Sequence, residues 1–291
     1  MNFEILTDSS CNLPESTIDQ LGLHIVSLSY IMGDDEEKRS YVKGQTFDLK
    51  GFYDALKAKI PAKTSQVTPE QARDVCRPIF EAGKDLLYVG FSSGLSGTYQ
   101  AVCLALEEFK EEFPDRKIYY TDTLAASAGQ AHLVQEACKM RDDGKSIEEA
   151  HAWIEDNKMK LCHFFTVDDL WHLQRGGRLS ASKALMGTML SIKPVLIVNN
   201  EGKLVPVGKA KGRKKSLDYL LERMEEKIDT AAGNKVYIIH SDALGDAEYL
   251  SERVLEKHKG FEIEIVYLEP VIGTHTGPGV CALVFMGKER E

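Results

Sequence analysis

The chain has 291 residues, 43% of them hydrophobic and 28% charged, a composition that suits a soluble fold with a sizeable apolar core. Its formal net charge of −9 argues against general nucleic-acid binding, which needs a concentrated basic surface, and no apolar run approaches the length that spans a bilayer. The six cysteines are scattered without a C-x-x-C pair, so neither a disulfide framework nor a zinc site is expected, and the opening MNFEILTDSS carries no secretion signal, which points to the cytoplasm.

From the N-terminus, short apolar runs alternate with amphipathic stretches, the rhythm of a parallel sheet with crossover helices. The pattern predicts strands over 3–7, 24–31, 86–91 and 117–120. Helical periodicity lies between them, over 48–59, 69–82, 98–113 and 124–143, with Thr68 and Pro69 as cap and first turn of the second. A helix over 147–157 leads to an apolar strand, 161–167, and the domain boundary is placed there, giving domains of 1–160 and 161–291. The second half predicts strands over 194–198, 204–210, 235–241, 262–268 and 280–286, with helices over 213–230 and 246–257. Asn199-Asn200-Glu201-Gly202-Lys203 between two apolar runs reads as a hairpin turn, so this sheet is expected to be mixed.

Three first-half strands end in small polar residues: Thr7-Asp8-Ser9-Ser10, Ser92-Ser93-Gly94-Leu95-Ser96-Gly97-Thr98 and Thr121-Asp122-Thr123. In an open parallel sheet those ends meet at a crevice where helix N-termini present unpaired N–H groups, a setting for an anionic oxygen. Helix capping accounts for any one of the three loops, but not as well for their coincidence. Thr64-Ser65-Gln66 is a further hydroxyl-bearing loop. The second half adds Arg175-Gly176-Gly177-Arg178, a turn whose guanidinium groups suit a carboxylate or phosphate, and Gly273 to Gly279, where His275 stands among small residues. A basic cluster, Lys209, Lys211, Arg213, Lys214 and Lys215, reads either as a solvated helix start or as a docking patch for an acidic partner.

Taken in order, these motifs resemble the DegV family of bacterial fatty-acid-binding proteins. The matches are Thr7-Asp8-Ser9, Lys63-Thr64-Ser65-Gln66, Ser93 through Tyr99, Asp122-Thr123 with Ser127 and Gly129, Asp169-Leu170 through Leu173 to Arg175-Gly176-Gly177-Arg178-Leu179-Ser180, Ile192-Lys193-Pro194, and Val271 through Gly279. The resemblance implies an α/β fold: an N-terminal Rossmann-like domain with a mostly parallel sheet, and a smaller C-terminal α/β domain with a mixed sheet. It implies one long-chain fatty acid between the two, its carboxylate held by Thr64 and Ser96 with His275 close by, and Ser93 and Ser65 as secondary contacts. It also implies a partner, the ATP-using subunit of a bacterial fatty acid kinase that makes acyl-phosphate for phospholipid metabolism. Arg175 and Arg178 would then face the mouth and Arg213 would mark the docking patch. No catalytic residue, metal or cofactor is implied, and transient contact with a membrane surface is compatible with such a carrier. One departure stands out: where many members carry proline after Thr-Ser-Gln, this chain has Val67.

The rival from a different class is an acyl hydrolase or acyltransferase with Ser96 as nucleophile and His275 as base, oriented by Asp8 or Asp122. Gly94-Leu95-Ser96-Gly97-Thr98 lacks the final glycine of a nucleophile elbow, so binding without catalysis is the expectation.

Overall fold

The computed structural model describes residues 3–168, 170–179 and 191–290; Asp169 and Ser180 of the motifs above lie outside them. In chain order the elements begin β1 (Phe3–Asp8), α1 (Glu15–Leu21), β2 (Leu23–Val26), β3 (Ser29–Met32), β4 (Lys38–Arg39), α2 (Leu49–Lys57), β5 (Ala62–Ser65), α3 (Pro69–Glu81) and β6 (Asp85–Gly90). They continue with α4 (Thr98–Glu112), β7 (Ile118–Asp122), α5 (Ala128–Asp142), α6 (Ile147–Asn157), β8 (Leu161–Thr166), α7 (Trp171–Arg175), β9 (Ile192–Val198) and β10 (Leu204–Lys211). The last are α8 (Arg213–Lys227), β11 (Lys235–His240), α9 (Leu244–Lys257), β12 (Glu262–Tyr267), α10 (Pro270–Thr276) and β13 (Cys281–Met286). Two compact units result: Met1–Ile31, Glu36–Thr46 and Thr64–Lys158 form the first, and Met32–Asp35, Phe47–Lys63 and Met159–Glu291 the second.

The first unit is built on a parallel four-stranded sheet in the order β2-β1-β6-β7. Because α3 packs with α4 and α5 with α6 around it, the strands are buried almost throughout, as the continuous apolar runs of β1 and β6 require. Local signals start the helices: Thr68 and Gln71 form a reciprocal capping box at α3, and Ser146 and Glu149 another at α6. The strand expected over 24–31 is two strands. At Leu28 the backbone N–H donates to Ser9 Oγ (2.9 Å) and the carbonyl accepts from Ser40 N (2.8 Å), so the chain leaves the ladder there and β3 pairs antiparallel with β4.

The second unit carries a six-stranded sheet in the order β10-β9-β8-β13-β11-β12, antiparallel except for β11 with β12. The β9–β10 hairpin turns at Asn199–Lys203 as its sequence predicts. One face packs under α8 and α9 through Phe164, Val195, Ile238, Leu283, Leu220 and Leu250. Strand alternation turns Phe165, Leu196, Ile239, Ala282 and Val284 to the opposite face, and all five are buried. The amphipathic helix α2 belongs to this unit although it comes from the first half of the sequence. Its buried Phe52, Tyr53 and Leu56 lie on one face, each contributing about 1.5–3 kcal/mol if fully removed from water, and Tyr53 donates its hydroxyl to Leu268 O (3.0 Å) while its ring stacks on Tyr267.

Candidate functional site

In the first unit the parallel register brings the ends of β1, β6 and β7 to one edge, where Asp8, Gly90 and Asp122 finish their strands. Asp8 is fully buried. Its Oδ1 accepts from Ser10 N (3.2 Å) and from the Ser10 hydroxyl, and its Oδ2 accepts from Phe91 N (2.9 Å) and the Tyr88 hydroxyl (3.1 Å). Burial pushes its carboxyl up, against the pull of those donors. Asp122 takes the next amides: Ser93 N at 3.2 Å and Leu124 N at 3.0 Å. The loop from Phe91 to Gly97 is thereby pinned at its base, and it closes on itself through Leu95 N and Ser96 N to Ser92 O and through Gly94 N to Ser92 Oγ.

The hydroxyls on this loop are not equivalent. Ser96 donates to Thr98 Oγ1 (3.0 Å) and accepts from Thr98 N (3.2 Å), whereas the half-buried Ser93 hydroxyl makes no hydrogen bond among the described residues. Thr98 Oγ1 also accepts from Val67 N (3.2 Å), and the Gln66 side chain fills the space that a Cβ on Gly97 would need. These contacts lay the segment carrying Thr64 and Ser65 beside the Ser96 loop. Both residues are half-buried and sit in β5, a strand where a loop is expected.

In the second unit His275 lies in the last turn of α10, a helix that the sequence pattern does not predict. Glu269 caps this helix by accepting from Val271 N (2.7 Å) and Ile272 N (2.6 Å), and Pro270 takes the first position. Helix α7 and the segment after α10 interlock through absent side chains. A Cβ on Gly176 would collide with His275 Nδ1, one on Gly277 with the His172 ring, and one on Gly279 with the Asp168 carboxylate. Gly277 and Gly279 also hold φ of 76° and 84°, open only to glycine at low cost. Arg175 and Arg178 flank the interlock. The first stacks its guanidinium 4.5 Å from the Trp171 ring centre and donates to Ala62 O (3.4 Å); the second donates to Gly176 O. Burial first, then the charges of Arg178 and Arg175, push the His275 imidazole down to about 4, so it is neutral at pH 7.

Arg213 is not part of that group. It begins α8, donates Nε to Asp246 Oδ2 (2.8 Å), and lies 4.0 Å from Asp168, beside a polar cavity of about 380 Å³ lined by Lys57, Asp168, His172, Asp242, Asp246 and Gly279 among others. Lys209, Lys211, Lys214 and Lys215 near it are exposed. Sequence reasoning did not single out Trp171, His172 or Glu269. The Glu-Pro pair ahead of Val271 was a readable helix start, while His172 is recognisable only through Gly277, which it faces, and Trp171 only through the Arg175 guanidinium stacked on it.

Among the described residues no cluster of His, Cys, Asp or Glu could hold a metal ion, and no helix is long and apolar enough to cross a membrane. The Ser96 hydroxyl is directed at Thr98 and not at an imidazole, which is not the arrangement of an activated nucleophile.

A family model described as "Uncharacterised protein, DegV family" matches residues 2–288. A DegV domain-containing protein of Clostridium perfringens (strain 13 / Type A) is 43% identical over 291 residues, covering 99% of each chain. Among solved structures, a fatty acid binding DegV family protein from Streptococcus agalactiae is 32% identical with a TM-score of 0.85, covering 99% of this chain and all of its own. A DegV family protein from Thermus thermophilus, described for its fatty acid binding, is 29% identical with a TM-score of 0.87 over 99% of this chain and 100% of that one. In sequence and in fold, from end to end, the chain belongs to the DegV family.

Proposed function

We propose that this protein binds one long-chain fatty acid between its two domains, residues 1–160 and 161–291, and does no chemistry on it alone. Thr64, Ser96 and Ser93, with Ser65 adjacent, and His275 would hold the carboxylate. The observation that carries this reading is the full-length likeness to fatty-acid-binding DegV structures, 32% identical in the Streptococcus agalactiae case. The local chemistry supports it. A carboxylate leaving water needs hydrogen-bond donors around it, and hydroxyls with a neutral imidazole supply them without a permanent charge at the contact. An acyl chain needs an apolar wall, and the sheet face bearing Phe165, Leu196, Ile239 and Val284 has that character.

In the same reading the protein presents the carboxylate to a separate ATP-using subunit. A carboxylate oxygen attacks the terminal phosphorus, ADP leaves, and acyl-phosphate results. Arg175 and Arg178 border the mouth, and Arg213 with its neighbouring lysines meets an acidic surface of the partner. Protein purified from a bacterial host and denatured should release about one fatty acid per chain by mass spectrometry. No acyl ligand, together with no uptake of added oleate or palmitate, overturns the binding reading. Arg213→Glu should suppress acyl-phosphate formation in a reconstituted assay while oleate binding persists; unchanged turnover overturns the docking role alone.

A further inference from the structure

We infer that Asp8 and Asp122 are positioning residues for the carboxylate site: they never touch the ligand, but they fix the Phe91–Gly97 loop so that its hydroxyls form a clamp. The inference rests on the carboxylate reading above. Its ground is the hydrogen-bond sense at Asp8. Among the groups around this carboxylate, Ser10 N, Ser10 Oγ, Tyr88 Oη and Phe91 N donate, two to each oxygen, and the Gln130 side chain adds a further hydrogen bond. Only an acceptor at both oxygens satisfies them, and two of the donors are backbone amides that cannot reverse. An amide side chain of the same shape would set its NH2 against a donor on one side or the other.

The four donors come from two elements. One oxygen holds the turn after β1, the other the end of β6 and the first residue of the Ser93 loop. Two residues on, Asp122 from the end of β7 accepts from Ser93 N. Three neighbouring strands are thus joined to one loop by two carboxylates, and the loop cannot shift without breaking charge-assisted bonds. Tyr88 strengthens the joint, since its ring occupies the space above Gly90, where a Cβ would overlap it. Because Asp122 takes the Ser93 amide, this position offers a ligand its hydroxyl rather than its N–H. The chemistry asked of the site is then that of hydroxyl donors held at fixed spacing, which suits a planar carboxylate.

The test compares oleate with oleyl alcohol, which keeps the chain and lacks the carboxylate, by titration against wild type, Asp8→Asn and Asp122→Ala. Wild type should prefer oleate. Each variant should weaken oleate about tenfold, the scale of one charge-assisted bond, and leave oleyl alcohol within about twofold. Equal weakening of both ligands, or of neither, in a variant that melts cooperatively overturns the positioning role. Asp122 is the less buried of the two, so Asp122→Ala, which removes the acceptor of both amides, decides the matter even where Asp8→Asn fails to fold. A wild type that does not distinguish the two ligands removes the carboxylate reading and this inference with it, whereas variants that keep the wild-type preference remove this inference alone.

Discussion

In the proposed carboxylate site the two units would contribute by opposite means. In the first, the donors are hydroxyls, and the charges next to them are carboxylates used up in holding backbone amides: Asp8 on Phe91 and Asp122 on Ser93. In the second, the proposed donor is an imidazole held neutral by burial and by the guanidinium groups of Arg178 and Arg175. One set fixes geometry and the other supplies a positive field. An anionic head group in the proposed site would gain from both, because position without charge gives little discrimination and charge without position gives little specificity.

The largest expected effect breaks the second unit's half. Gly176→Ala places a methyl group on His275 Nδ1 and should weaken oleate binding by about 30- to 100-fold, measured by titration, as overpacking displaces the imidazole. Gly177→Ala is the contrast: it meets open space at φ 70°, so it should lower the melting temperature and leave affinity near wild type. If the two alanines weaken binding equally, the interlock does not position His275.

His275 itself should give a pH signature. Its imidazole sits near 4 in the fold and at its ordinary 6.5 when unfolded, so the unfolded chain binds the extra proton between those values. The associated stability is therefore whole above about pH 6.5 and is lost as pH falls toward 4, a span worth on the order of 3 kcal/mol. His275→Gln should flatten that part of the stability curve in urea titrations from pH 7 to pH 4. A variant with the wild-type slope would show that another group carries it.

Smaller effects separate the hydroxyls of the first unit. Ser93→Ala should cost about fivefold in oleate affinity, because its proton is uncommitted, and Ser96→Ala should cost less affinity but about 1 kcal/mol of stability, because its hydroxyl serves Thr98. The reverse order would mean that Ser96 carries more of the ligand contact than Ser93. Val67→Pro should be smallest: it deletes the N–H that reaches Thr98 Oγ1, about 0.5–1.5 kcal/mol, partly offset by a stiffer unfolded chain, and a melting curve would report the difference. The residue that departs from the family pattern thus adds a bond that proline cannot make.

Much of the first unit was legible because its signals are local. Strand ends rich in Ser, Thr and Asp, capping boxes and continuous apolar runs lie where the chain itself announces them. Helix α10 was not, since Gly273, Gly277 and Gly279 suggest a loop, and the helix depends on the Glu269 cap and on Tyr53, more than 200 residues earlier, packing against Gly273. Residue pattern likewise gave no sign that Lys63-Thr64-Ser65 lies in a strand or that α2 leaves its sequence neighbours. The site motifs were visible as types, but the commitment of the Ser96 hydroxyl to Thr98 and the seating of His275 over Gly176 depend on contacts distant in sequence.

Helix α2 also sets an order of events. Tyr53 leaves the ribosome long before Leu268, the residue 215 positions later to which it is bonded, so during synthesis the helix has an apolar face and no surface to cover it. The second unit cannot be completed until the chain is almost finished, and closing so long a loop is slow compared with local helix formation. A polypeptide beginning at residue 161 would lack this helix altogether and would expose the Tyr267 ring that Tyr53 covers. The point at which the sequence divides is therefore a poor place to cut the protein.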